Sequence, residues 1–263
     1  MDVFPPPDLE LLEDVPFGIH GLTLDLLRPR VRRPQPVPVI LQLHGGAWMM
    51  YSKWPPANVF LARAGFITVS SDDRLAPGAT FPAQWQDVRA AVRWLRAHAP
   101  ELGIDPQRIG VWGVSAGAHL AGLLGTAVGD ALEDAQAQHS ARVQAVGNVS
   151  GVMDFLDPAF GLGPQPLPLF GAPLGDCLNL AALASPVTHV TADAPPFLHL
   201  HGTHDDEVPV SQARRMHAAL VNTGARSELI ELDGDHYIND THQGEVEARL
   251  LAFFCRELKH TPG

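Results

Sequence analysis

The spacing of hydrophobic residues switches repeatedly along the chain between strict alternation and the helical i, i+3, i+4 pattern, which predicts strands interleaved with helices. Leu22, Leu24 and Leu26 alternate with Thr23 and Asp25, the mark of a half-buried strand. From Val37 to Leu43 the chain is almost wholly apolar, with β-branched residues, as suits a central strand covered on both faces. Val59 to Ala64 reads as helix, Gly65 turns the chain, and Phe66 to Ser70 reads as another buried strand. Val88, Ala91, Val92 and Leu95 then fall on one helical face, with Asp87, Arg89, Arg93 and Arg96 elsewhere around the turn. Arg108 to Trp112 predicts a strand and Ala118 to Leu124 the helix after it. Further strands are predicted at Val143 to Val149, Pro196 to Leu200 and Ser227 to Leu232. Ser211 is placed as the cap of a helix running through Leu220, and Glu245 to Leu258 closes the chain as a helix. Strand and helix alternating in this way predict an α/β fold with a mostly parallel central sheet and helices on both faces.

Three stretches break the pattern. Residues 1–19 are punctuated by proline and predict an arm over the domain, with a short helical turn near Leu9 to Leu12. Asp130 to Gln138 reads as an acidic, alanine-rich loop. Residues 151–184 mix Phe155, Phe160, Leu162, Leu167, Leu169 and Phe170 with many glycines and prolines. Apolar side chains in a segment unable to form long regular elements usually cover something, so a wall or partial lid over a site is expected; simple packing on the sheet is the alternative.

Composition narrows the class. The 263 residues are 46% hydrophobic, enough for one substantial core, and residues 1–263 are read as a single domain without a large cap. The formal net charge of −11 comes from scattered acids, which argues against nucleic-acid or anionic-membrane partners. Cys177 and Cys255 have no metal-ligand spacing and imply no disulfide framework; Cys255 is expected to be an unpaired, buried thiol. Met1 to Glu13 carries acids and three consecutive prolines where a secretory signal needs a basic segment and an apolar core. A cytoplasmic protein is therefore the expectation, and no apolar run is long enough to span a membrane. Oligomeric state is left open.

The candidate chemistry centres on Gly113-Val114-Ser115-Ala116-Gly117, a G-x-S-x-G between predicted strand and helix. Small residues at 113 and 117 let strand and helix approach closely, so the turn lifts Ser115 out of the fold as a nucleophile. Acyl transfer by serine further needs a base, an acid to orient it, and backbone donors for the oxyanion. The loop after the Pro196–Leu200 strand offers Asp205, Asp206 and Glu207, and the loop after the last strand offers Asp233-Gly234-Asp235-His236-Tyr237.

With these residues the chain resembles the α/β-hydrolase superfamily, and within it the small esterases related to feruloyl and acetyl-xylan esterases and to kynurenine formamidase, with hormone-sensitive-lipase-like features. The resemblance is carried by His44-Gly45-Gly46-Ala47-Trp48, Arg74-Leu75-Ala76-Pro77 with Phe81-Pro82-Ala83 and Asp87, Gly103-Ile104-Asp105-Pro106, the serine turn, Ala184-Ser185-Pro186, and His201-Gly202 with Asp205 and Val208-Pro209. It implies Ser115 as nucleophile, His236 as base and Asp205 as acid, with Asp206 the fallback. It also implies an oxyanion hole of the Gly46, Ala47 and Ala116 N–H groups, with His44 buttressing that loop. Trp48 is placed in the acyl or alcohol pocket, with core packing as the alternative, and His119, His201 and His204 are read as structural. Two positions depart from the lipase-like pattern: Ala47 and Asp73 stand where it has Gly and Tyr. Asp235 beside the base either tunes it or faces solvent.

The function implied is a serine carboxylesterase acting on small, short-acyl esters through an acyl-enzyme, without metal or other cofactor. Amide or formamide hydrolysis, carbohydrate-ester deacylation and a non-catalytic ligand-binding scaffold are the alternatives. Activity is expected to fall as pH drops through roughly 6 to 7, where protonated His236 can no longer accept the serine proton.

Overall fold

The computed structural model describes residues 4–31, 34–54, 58–126, 138–160 and 165–259. Of the predicted acidic loop only Gln138 falls among them, and Leu162 lies outside. The strands are β1 (Leu9–Phe17), β2 (Leu22–Pro29), β3 (Val37–Leu43), β4 (Ile67–Ser71), β5 (Ile104–Val114), β6 (Ala145–Val149), the two-residue pair β7 (Pro166–Leu167) and β8 (Ala172–Pro173), β9 (Phe197–Gly202) and β10 (Ser227–Leu232). The helices are α1 (Val59–Arg63), α2 (Ala83–Ala97), α3 (Ala99–Leu102), α4 (Ala116–Thr126), α5 (Leu178–Ala184), α6 (Ser211–Asn222), α7 (Ile238–Thr241) and α8 (Gln243–Phe254).

Eight strands form one sheet in the order β1-β2-β4-β3-β5-β6-β9-β10. Pairing is parallel from β4 through β10, and β2 runs antiparallel to both β1 and β4. The period-two geometry of β3 divides its side chains between two cores. Val39, Leu41 and Leu43 pack with Val88, Val92 and Leu95 of α2 and Leu120 of α4. Ile40 joins Leu61 of α1, Trp112 of β5, and Leu250 and Phe254 of α8 on the other side. Both faces of the central strands are thus covered, as their near-continuous apolar sequence requires.

The structure departs from the pattern reading where partners come from far along the chain. Leu9 to Leu12 is not a helical turn but the start of β1, which covers the free edge of β2 from Leu9↔Pro29 to Phe17↔Leu22. Asp25, placed by alternation on the wet face of β2, is buried because Lys53 Nζ reaches its Oδ1 at 2.7 Å and Asp14 Oδ1 at 2.9 Å. Asp87 and Arg89 of α2 are likewise buried: Asp87 accepts the Arg74 Nε–H at 2.8 Å, and Arg89 lies 4.5 Å over the Trp85 ring. Ser211 is the first helical residue of α6 and caps nothing; its hydroxyl donates to Asp157 Oδ2 at 2.6 Å instead. In the irregular stretch, Phe155, Leu169 and Phe170 are buried in the α2–α4 core, with the Phe155 and Phe170 rings 5.1 Å apart. Both cysteines are free, and Cys255 is half-buried.

Candidate active site

The turn from β5 into α4 forces Ser115 to φ 54°, the left-handed region that a non-glycine residue adopts only when its surroundings hold it there. Those surroundings are backbone. The Ser115 N–H donates to the Val149 carbonyl (2.9 Å), and the Ser115 carbonyl accepts the His119 N–H (3.0 Å). A Cβ on Gly113 would stand 2.3 Å from the Gly117 carbonyl carbon, and one on Gly117 would stand 2.2 Å from the Leu43 oxygen. Strand, turn and helix therefore meet at distances that only glycine permits.

The loops that carry Asp205 and His236 are stitched together by main chain. Thr203 N–H donates to Leu232 O (2.8 Å) and His204 N–H to Gly234 O (2.9 Å). Gly202 admits this crossing, since a Cβ there would lie 2.2 Å from the Asp235 oxygen. In consequence His236 Nε2 lies 3.0 Å from Ser115 Oγ, and its Nδ1 lies 2.8 Å from Asp205 Oδ2. Asp205 is buried, whereas Asp206 and Glu207, the next two residues of the same turn, are exposed. The geometry brings Ser115, His236 and Asp205 together and leaves Asp206 facing water.

Burial alone would raise the Asp205 carboxyl, but donors from His201, His236 and the Val208 N–H outweigh it and hold the group well below the usual carboxylate range. For His236 burial pushes downward, and the Asp205 bond and charge, helped by Glu207 and Asp235, reverse the sign, so the imidazole is raised above 6.5. Asp235 is exposed, accepts the Tyr237 N–H at 2.9 Å, and adds its charge to the base.

Beside the serine, the loop after β3 turns tightly. Gly46 at φ 98°, Ala47 at 50° and Trp48 at 61° are all left-handed, and the Gly46 carbonyl accepts the N–H groups of Met49 (2.9 Å) and Met50 (3.1 Å). A Cβ on Gly45 would come within 3.7 Å of Ser115 Cβ, so the loop stands directly against Ser115. The Ala116 N–H, at the first position of α4, has no intrahelical acceptor. His44 supports the loop from behind, with Nδ1 2.8 Å from Gly45 O and Nε2 3.2 Å from Asp73 Oδ1. Burial lowers His44, but the Asp73 bond and charge prevail and raise it; burial pushes the Asp73 carboxyl up. Asp73 thus gives His44 a charged partner at the position where the lipase-like pattern has Tyr.

Trp48 is 5% exposed and has internal partners: its indole N–H donates to His119 Nδ1 (3.1 Å), and its ring packs on Phe155 at 5.8 Å. That is the core packing held as its alternative to a pocket lining. His119, pushed by burial down to about 4, is neutral and donates from Nε2 to Ala184 O at 2.7 Å. His204 is exposed and pairs with Asp233. Two residues near the site make contacts that the sequence did not indicate. Lys53 ties the loop after Trp48 to β2 through its buried ion pair, and His201 touches Asp205 itself.

A mostly parallel sheet, a left-handed serine between strand and helix, and loops after later strands that bring an aspartate and a histidine to that serine define the α/β-hydrolase fold. Within it, the chain belongs to the BD-FAE family, whose model matches residues 24–220. Esterase LipQ of Mycobacterium tuberculosis is 34% identical over 91% of this chain and 59% of its own length. Among solved structures, a bifunctional GH43-CE protein of Bacteroides eggerthii superposes with a TM-score of 0.84 at 30% identity, over 94% of this chain and 38% of that one. Thermogutta terrifontis Est2 in its propionate-bound form gives 0.76 at 25% identity over 99% of both chains. The chain spans between about half and three-fifths of the length of the first curated relatives it matches. Among the described residues, no helix is long and apolar enough to cross a membrane.

Proposed function

We propose that the protein is a metal-independent serine carboxylesterase that cleaves small, short-acyl esters. The observation that carries this reading is the continuous line Ser115 Oγ, His236 Nε2, His236 Nδ1 and Asp205 Oδ2, with links of 3.0 and 2.8 Å. Ser115 Oγ attacks the ester carbonyl while His236 Nε2 takes its proton. The oxyanion that forms faces the N–H groups of Gly46 and Ala47, in the turn already fixed by the Met49 and Met50 hydrogen bonds, and of Ala116 at the start of α4. Collapse expels the alcohol, protonated by His236, and leaves the acyl group on Ser115. Water then attacks with His236 again as base, and the carboxylic acid departs. Throughout, Asp205 stabilises the imidazolium.

Relatives named as esterases support ester cleavage, and the propionate bound to Est2 supports a small acyl site. The scattered negative charge supports small esters rather than nucleic acid or an anionic membrane surface as partners. A narrower reading, deacylation of carbohydrate esters, is favoured by the likeness to the GH43-CE protein and is separated by assaying acetylated sugars beside simple esters.

The deciding experiment compares wild type and Ser115→Ala on nitrophenyl esters of rising acyl length, with and without a chelator. Hydrolysis that survives chelation, falls at least about a thousandfold in Ser115→Ala, and is fastest on acetyl to butyryl esters is the expected result. Undiminished turnover by Ser115→Ala would overturn the nucleophile, and faster cleavage of long-chain esters would overturn the short-acyl preference.

A further inference from the structure

The Asp205 carboxylate is surrounded by four donors. Oδ1 accepts the Glu207 N–H at 3.1 Å and the Val208 N–H at 2.7 Å, and Oδ2 accepts His236 Nδ1–H at 2.8 Å. The fourth is His201, fully buried at the end of β9, whose Nε2 lies 3.2 Å from Asp205 Oδ2 and 2.7 Å from the Val208 carbonyl oxygen. Both neighbours of that nitrogen are acceptors, so it must carry the proton; a bare Nε2 would set three lone pairs against one another. His201 Nδ1 is buried without a partner, which suits an unprotonated nitrogen far better than a buried, unpaired N–H. The ring therefore carries a proton on Nε2, which donates to Val208 O and lies within reach of Asp205 Oδ2.

We infer that His201 is a positioning residue of the triad: its shared Nε2–H holds Asp205 Oδ2 toward His236 and takes up part of the carboxylate charge that His236 would otherwise meet alone. This rests on the Ser115–His236–Asp205 reading and goes beyond the structural role the sequence suggests for His201. Its consequence has a sign. Without the His201 donor, the two backbone N–H groups still retain Asp205, but more of its charge faces the His236 imidazolium, which is then harder to deprotonate. The other charged and titratable groups around the pair stay in place: Glu207 and Asp235 beside His236, Glu231 of β10 and His199 of β9 beside His201.

The test is the pH profile of kcat/KM for wild type, His201→Leu and His201→Gln, with Ser115→Ala alongside and each fold checked by circular dichroism. Leu keeps the bulk and removes the donor; Gln returns an amide N–H at the same number of bonds from the backbone. Expected for His201→Leu are an acid limb about half a unit higher in pH, a fall in kcat of about tenfold and an unchanged KM, because the residue does not reach substrate. His201→Gln should recover most of both changes. A limb in His201→Leu that coincides with wild type, or a Gln variant as impaired as Leu, would overturn the inference while inactive Ser115→Ala leaves the triad standing. Activity surviving in Ser115→Ala would instead overturn the triad. Should His201→Leu not fold, the 15N imidazole spectrum of the wild-type protein decides: the Nε2–H tautomer is required, and Nδ1–H would overturn it.

Discussion

Ala47 holds φ 50°, a conformation that costs an L-residue with a Cβ roughly 1–2 kcal/mol. Glycine would remove that strain and keep the N–H, at the expense of a more disordered unfolded chain worth about 0.4–1 kcal/mol. Ala47→Gly is therefore expected to gain about 0.5 kcal/mol and to melt about 1 to 2 °C higher, with ester turnover retained. A melting point that drops would show that the alanine methyl has packing of its own. A second residue-scale outcome concerns pH. The proposed mechanism needs neutral His236, whose pKa burial lowers and Asp205, Glu207 and Asp235 raise on balance. Activity is thus full at high pH and lost as pH falls through a value above 6.5, in the upper part of the range expected from sequence or beyond it. Neutralising two of those charges, as Glu207→Gln with Asp235→Asn, should move the limb back downward; an unmoved limb would leave Asp205 as the sole cause. At this scale, what could be read from sequence depended on the reach of each side chain's partners. Ser115 and His236 announce themselves by standing in turns after strands, whereas Asp205 was separated from Asp206 and Glu207 by the family resemblance alone. Trp48 does not, because its hydrogen-bond partner His119 is 71 positions away and looks like any other helix residue. His201 was legible only as the residue before a glycine; its bond to Asp205 depends on how the turn closes.

Among the elements, the loop leaving β3 depends on a buried ion pair that hydrophobic patterning places in water. Lys53 joins that loop to β2 through Asp25, to β1 through Asp14, and to the residue after β4 through its own N–H, which donates to Asp72 Oδ1 at 2.9 Å. Burial disfavours the Lys53 ammonium, yet the two carboxylates prevail and raise its pKa. Removing one partner of such a pair strands the other, here Asp25 with no exposed surface on its side chain. Lys53→Ala is expected to cost about 3 kcal/mol, read as a melting point lower by about 6 to 12 °C, and to reduce kcat because the oxyanion turn loses its tether. Lys53→Met combined with Asp25→Leu should recover most of the stability, since no charge is left uncompensated. Equal melting points for Lys53→Ala and wild type would mean that water reaches Asp25. The same network accounts for the misread start of the chain. Proline punctuation made residues 1–19 look like a loose arm, whereas the open edge of β2, together with Gly18 and Gly21 at φ 64° and 70° in the connecting turn, makes a strand of Leu9–Phe17. Strand pairing is decided by the neighbour, and one-dimensional spacing does not contain the neighbour.

Over the whole molecule, the alternation of strands and helices was legible because parallel strands covered on both faces are largely apolar, as β3 is but for Gln42; β4 and β6 also bury Thr68, Ser70, Ser71 and Asn148. Charge placement was less so, since burial of Asp25, Asp87 and Asp205 follows from pairing across the fold. What the net charge of −11 does near the site can now be argued. Glu207 and Asp235 lie close enough to His236 to raise it, and Lys53, the first cation after the β3 loop in sequence, and Arg74 are each held by carboxylates. A substrate carrying its own carboxylate therefore approaches against the field, and the tetrahedral oxyanion adds a second negative charge beside it. An ester with a free acyl-side carboxylate, such as nitrophenyl hemisuccinate, should show a kcat/KM about tenfold below that of a neutral ester of equal chain length at low salt. Because the Debye length shrinks from about 30 Å at 0.01 M to about 3 Å at 1 M, added salt should close most of the gap while leaving the neutral ester unaffected. A gap that persists in high salt would point to a steric rather than an electrostatic barrier, and the absence of any gap would place the acyl group out of range of Glu207 and Asp235.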